Sequence, residues 1–106
     1  MDLAVVIPYY KGKYFQDTLD SLSVQTNKNF TVYIGNDAST EDPSELISKH
    51  SKDFNIVYKK FERNLGSHSL TKQWERCINL TEGENWIMVL CDDDYISDNY
   101  VEEFYK

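Results

Sequence analysis

Three consecutive carboxylates, Asp92, Asp93 and Asp94, follow directly on an apolar run in the segment WIMVLCDDDYISD. Like charges this close repel, and burial would drive one of them to take up a proton. A positive partner is expected. Clusters of oxygen donors favour hard divalent ions such as Mg²⁺ or Mn²⁺. Asp92, Asp93 and Asp94 are therefore candidate metal ligands, with a solvated acidic turn ahead of a helix as the plain alternative. An EF-hand register from Asp92 places Asp94, Asp98 and Glu103 usefully. It also puts Ile96 at the fifth position and Ser97 where glycine is needed, which argues against it.

Other residues of chemical interest fall at the ends of short apolar runs. Pro8, Tyr9 and Tyr10 close the first, and the tyrosines either cover the sheet or offer a ring to a base. Asp37, in GNDAST, is a turn residue or an acceptor for a ring N–H. Arg63 pairs with phosphate or with a nearby carboxylate. Asn64 and Gly66 form a turn in which Gly66 is expected to supply positive φ. His50 and His68 read as surface residues, and Trp74 as core. No G-x-G-x-x-G follows the first run and no G-x-x-x-x-G-K-[ST] occurs, so the Rossmann dinucleotide and P-loop readings fail. A receiver domain would need its acidic pair where PYY stands.

The elements that position these residues follow from periodicity. LAVVIP (3–8), FTVYIGN (30–36), NIVYKKF (55–61) and WIMVLC (86–91) read as buried strands. Phe15, Leu19 and Leu22 recur at helical spacing, which predicts a helix over about 13–25. Asp42 is placed to cap a short helix with Pro43 in its first position. Leu70, Trp74, Cys77 and Ile78 define one face of a second long helix, and a last helix starts near Asp98. The alternation of strand and helix predicts an α/β fold: Rossmann-like, with a central, mainly parallel sheet and right-handed crossovers. Ligands of such sheets sit outside the carboxyl ends of the strands, where all the candidates above lie.

The chain has 106 residues, which sets one domain as the expectation. Its net charge of −7 argues against a nucleic-acid partner, because such proteins need a basic stripe. Cys77 and Cys91 form no C-x-x-C pair and read as reduced thiols of a cytoplasmic protein. The N-terminus lacks a signal-peptide pattern, and no segment is long enough to span a membrane.

Taken together, these residues resemble an inverting nucleotide-sugar glycosyltransferase of family 2, with the GT-A fold. VVIPYYKGKYFQDTLDSLSVQT is similar to the family's opening, usually V-I-P-T-Y-N followed by a helix and a QT exit. YIGNDASTED resembles its V-D-D-G-S-T-D segment, and NLG followed by WERCINLTEGENWIMVLCDDD resembles the approach to its D-x-D motif. The resemblance implies that Pro8, Tyr9 and Tyr10 border the nucleoside, with Tyr10 stacking and Asp37 reading the base. Arg63, Asn64 and Asp92 join the donor site, and Asp92, Asp93 and Asp94 hold Mn²⁺ or Mg²⁺ against the donor diphosphate. It further implies a UDP-sugar donor, a glycan or lipid-linked glycan acceptor, and work in polysaccharide synthesis at the cytoplasmic face of the membrane. The alternative is a non-catalytic nucleotide- and metal-binding α/β module.

There are departures from the pattern. Tyr9 stands in place of Thr, Lys11 of Asn, Asn36 of Asp, Ala38 of Gly, and Cys91 where the first Asp of the motif often lies. The working metal pair is then Asp92 with Asp93 or Asp92 with Asp94. Residues 1–106 are expected to be the donor-binding half, truncated before the acceptor half that carries the catalytic base. Exposed apolar surface and homo-oligomerisation are expected to follow.

Overall fold

The computed structural model describes residues 3–106. Four strands alternate with four helices: β1 Leu3–Tyr9, α1 Phe15–Ser23, β2 Phe30–Asn36, α2 Ser44–His50, β3 Asn55–Lys60, α3 Leu70–Ile78, β4 Trp86–Val89 and α4 Tyr100–Phe104. The strands form one sheet in the order β3-β2-β1-β4, and every pairing is parallel. The predicted α/β architecture is the one observed.

β1 and β2 are apolar along most of their length because both faces of the sheet are covered. Leu3, Val5, Ile7 and Tyr9 point to one face, where they join Phe15, Leu19 and Leu22 of α1, Phe54 and Val101. Ala4 and Val6 point to the other, against Tyr33 and Cys77. This second layer is thin because its residues are small. A Cβ on Gly35 would run into Cys77 Sγ and Phe61, so glycine is what lets α3 lie this close to β2.

Several expectations need correcting. β3 and β4 are edge strands rather than buried ones, with Trp86 62% and Ile87 44% exposed, because each has a single strand partner. The second helix begins at Ser44, although Asp42 Oδ1 still accepts from Ser44 N at 3.0 Å in the manner of a cap. His50 is buried rather than superficial. Its Nδ1 lies 2.8 Å from Leu46 O and its Nε2 2.7 Å from Asp20 Oδ1, which ties α2 to α1. Positive φ occurs at Ala38 (55°) and Gly83 (99°), not at Gly66. At Gly66 the constraint is space, since a Cβ there would meet Asp37 Oδ2 at 2.6 Å. Among the described residues, no helix is long and apolar enough to cross a membrane.

Candidate functional site

The residues that follow β1, β2 and β4 meet at the carboxyl edge of the sheet. The chain leaves β1 at Tyr9, whose ring is buried against Phe15 with centroids 4.7 Å apart. Burial, then the charges of Glu41 and Asp92, push the Tyr9 hydroxyl up to about 12. Tyr10 is fixed through its backbone from both sides. Its N–H donates to Asp92 Oδ2 at 2.7 Å, and its carbonyl accepts from Ser39 Oγ at 2.5 Å. Its ring stays 45% exposed and free to present a face.

Asp37 follows β2 and is 3% exposed. Its Oδ1 accepts from Leu65 N at 2.7 Å and from Arg76 Nη2 at 2.6 Å, and its Oδ2 accepts from Gly66 N at 2.9 Å. Arg76 is held in turn by Gln73 Oε1 at 2.6 Å and by the Arg63 carbonyl at 2.8 Å, and it lies over the Phe61 ring. One carboxylate therefore shapes the whole loop after β3. A carboxylate oxygen can accept two bonds, so Oδ2 retains capacity for a further N–H.

Asp92 follows β4 and reaches across the rim. Its Oδ2 accepts from the amides of Tyr10 and Lys11 at 2.7 and 3.0 Å. Burial nevertheless holds its carboxyl above the usual carboxylate range, outweighing those two donors, with Asp93 adding repulsion. Asp93 and Asp94 are exposed. Ligand atoms from Cys91, Asp93 and Asp94 lie within 4.8 Å of one another. The Cys91 thiol is pushed up by burial and then by the neighbouring aspartates. Of the three donors, the two carboxylates are the hard oxygen ligands that suit Mg²⁺ or Mn²⁺.

Two adjoining cavities open here. One, of about 190 Å³, is lined by Pro8, Tyr9, Tyr10, Cys91 and Asp92 on one side and by Asp37, Gln73 and Trp74 on the other. The second, of about 310 Å³, shares Tyr10, Asp37 and Leu70 with the first and adds Asn64, Gly66 and Ser67. The structure thus brings together Pro8, Tyr9, Tyr10, Asp37, Asn64 and Asp92. Arg63 borders neither cavity, and its side chain is exposed. Trp74 lines a cavity rather than the core, and Leu70 is 56% exposed at the same opening. Sequence reasoning missed Gln73 and Arg76. A polar residue on the inner face of a helix otherwise read as core was the available signal for Gln73.

The family model for glycosyl transferase family 2 matches residues 4–106. The chain belongs to this family. Its relatives include the Streptococcus pneumoniae glycosyltransferase GlyA, 33% identical over 98% of this chain, and glycosyltransferase GlyG of the same organism, 27% identical over 98%. The backbone superposes on the S. aureus protein TarS in complex with UDP with a TM-score of 0.87, at 27% identity over 99% of this chain. A second TarS structure holds UDP-GlcNAc and matches with a TM-score of 0.86 at 25% identity. This chain spans 14% of GlyA, 34% of GlyG and 31% of that UDP-bound TarS chain.

Proposed function

We propose that this chain is the donor-binding part of a glycosyltransferase that uses a UDP-sugar. One observation carries the reading: Tyr10, Asp37 and Asp92, each from a different strand end, line one cavity at the carboxyl edge of a parallel sheet. The UDP and UDP-GlcNAc complexes of TarS support the choice of donor. Tyr10 offers its ring face to uracil. Asp37 Oδ2 accepts the ring N–H. Asn64 and the loop around Gly66 border the ribose side; Arg63, which borders neither cavity, would have to swing inward to reach the phosphates.

Asp93 and Asp94, with Asp92 at the cavity end of the same turn, would hold Mn²⁺ or Mg²⁺. When bound, the cation supplies Lewis acidity to the leaving diphosphate. It also explains how a protein of net charge −7 accepts an anionic donor. In the reaction, an acceptor hydroxyl of a glycan or lipid-linked glycan attacks the anomeric carbon with inversion. The bond to the diphosphate breaks, and the hydroxyl proton goes to a general base. That base must come within about 3 Å of the hydroxyl or act through one water. The rim residues named here are committed to nucleoside, diphosphate and metal, so the base belongs to the acceptor half, and these residues by themselves bind donor without transferring it. Work at the cytoplasmic face of a membrane and homo-oligomers formed through the exposed β4 edge belong to the same proposal.

The test is calorimetric titration of UDP, GDP and uridine with and without Mn²⁺. UDP should bind more tightly with Mn²⁺, and Asp93→Ala with Asp94→Ala should remove that increment while leaving uridine unaffected. Asp37→Ala should weaken both UDP and uridine by about 1.5–3 kcal/mol, the scale of a hydrogen bond to a charged group. Unchanged Mn²⁺-dependent UDP binding in the double variant would refute the metal site. A non-catalytic nucleotide-binding module would give the same binding but no transfer in a longer chain that includes an acceptor half.

A further inference from the structure

The acidic turn is held from outside itself. Between residues 91 and 99 the local backbone bonds are few, with Asp94 N on Cys91 O at 3.2 Å. The carbonyls of Asp92, Asp94, Ser97 and Asp98 instead point to α1 and its exit. Thr18 Oγ1 lies 2.5 Å from Asp94 O and 3.2 Å from Asp92 O. Gln25 Nε2 donates to Ser97 O at 2.5 Å, and Thr26 N donates to Asp98 O at 2.9 Å.

These partners are not generic packing. A threonine inside a helix ordinarily bonds the carbonyl one turn back. That carbonyl, Tyr14 O, is 3.4 Å from Thr18 Oγ1, so the single hydroxyl proton goes to Asp94 O. Gln25 is 2% exposed and spends its whole amide: Nε2 also donates to Ser21 O at 3.0 Å, and Oε1 accepts from Val101 N at 3.0 Å. Val101 N is one of the orphan donors in the first turn of α4. Asn99 makes no side-chain cap there, so Gln25 caps α4 from the segment that follows α1. The start of the segment 92–101 is thereby fastened to α1 through Thr18, and its end to the exit from α1 through Gln25 and Thr26.

We infer that Thr18 and Gln25 are positioning residues for the acidic turn. They fix its main chain so that Asp92 stays on the Tyr10 and Lys11 amides and Asp93 and Asp94 stay side by side. This rests on the donor reading above for its consequence in binding, but not for its structural content. Thr18→Val keeps the shape and removes the hydroxyl, whereas Thr18→Ser keeps the hydroxyl. Gln25→Met removes all three bonds of the amide.

The experiment titrates the 106-residue chain and each variant with UDP, with and without Mn²⁺, and with uridine. Backbone amide shifts are recorded by NMR without ligand. Thr18→Val and Gln25→Met are expected to cut the Mn²⁺ increment of UDP affinity by about tenfold and to leave uridine unchanged. Thr18→Ser is expected to retain the increment. In the free protein, amide shifts should move at Tyr10, Lys11 and residues 92–94. A full increment in both variants, or equal losses for UDP and uridine, would overturn the inference. Unfolding of both variants would overturn it too, in favour of a plain core role. Should the wild-type chain show no Mn²⁺ increment, the donor reading falls, and the free-protein shifts alone decide the positioning role.

Discussion

Asp92 is strained between two demands. It supplies an acceptor to the Tyr10 and Lys11 amides, yet it does so from a half-buried place that disfavours its charge. A carboxyl whose folded pKa is raised binds its proton more tightly in the folded state. Its stabilising contribution is complete below the unfolded value, about 3.9, and is lost as pH rises through the folded value. Asp92→Asn keeps an oxygen for the two amides and removes the charge. The variant should therefore gain stability over wild type progressively from pH 4 upward, read from urea midpoints across that range; a difference independent of pH would contradict the assignment. Ala38 stores strain of another kind. It sits at φ 55°, a conformation that disfavours a side chain. Ala38→Gly should raise stability by about 1 kcal/mol in the same measurement. This was half legible beforehand: the place of Ala38 in NDAST marked a position where the family carries glycine, but only the backbone shows why. The three partners of the Asp37 carboxylate were not legible, because Arg76, Leu65 and Gly66 are distant in sequence and no local pattern pairs them.

Among the elements, the order of strands and helices was readable because each apolar run is short and bounded by turn residues. The face of α3 was misjudged. Helical periodicity places Leu70 and Trp74 together, but it cannot say whether protein or an open cavity lies opposite. What fixes α3 is instead the small-residue contact at Gly35 and Cys77. Gly35→Ala should destabilise the fold by about 2 kcal/mol through overpacking. Cys77→Ala in the same chain should recover part of that loss by removing the sulfur that the new methyl meets. Thermal midpoints of the single and double variants test this. Absence of any recovery would mean that Phe61, the other neighbour, sets the limit.

For the molecule as a whole, the two helical layers seal the strands unevenly, and the tyrosines report it. Tyr9 and Tyr33 are both pushed up to about 12, each by burial first, with a hydrogen bond to Glu84 contributing at Tyr33. Raised pKa values stabilise the fold fully below the unfolded value, near 10, and the contribution disappears as pH passes through about 12. Tyr9 and Tyr33 should ionise only together with loss of the folded far-ultraviolet signal. Phenolate absorbance rising in one step well before unfolding would contradict their burial. The strand order has a consequence in time as well as in space. β1 is synthesised before the other strands and lies inside the sheet, but its neighbour β4 comes some eighty residues later, with Leu3 beside Trp86. While the chain emerges from the ribosome, one flank of β1 stays open until residues 86–89 arrive. Parallel pairing across so long a separation is slow. The Tyr10 and Lys11 amides have no carboxylate from residue 92 until then. A nascent chain halted before Trp86 would show rapid amide exchange along that flank and bind no UDP, because the nucleotide cavity still lacks the wall that Cys91 and Asp92 supply.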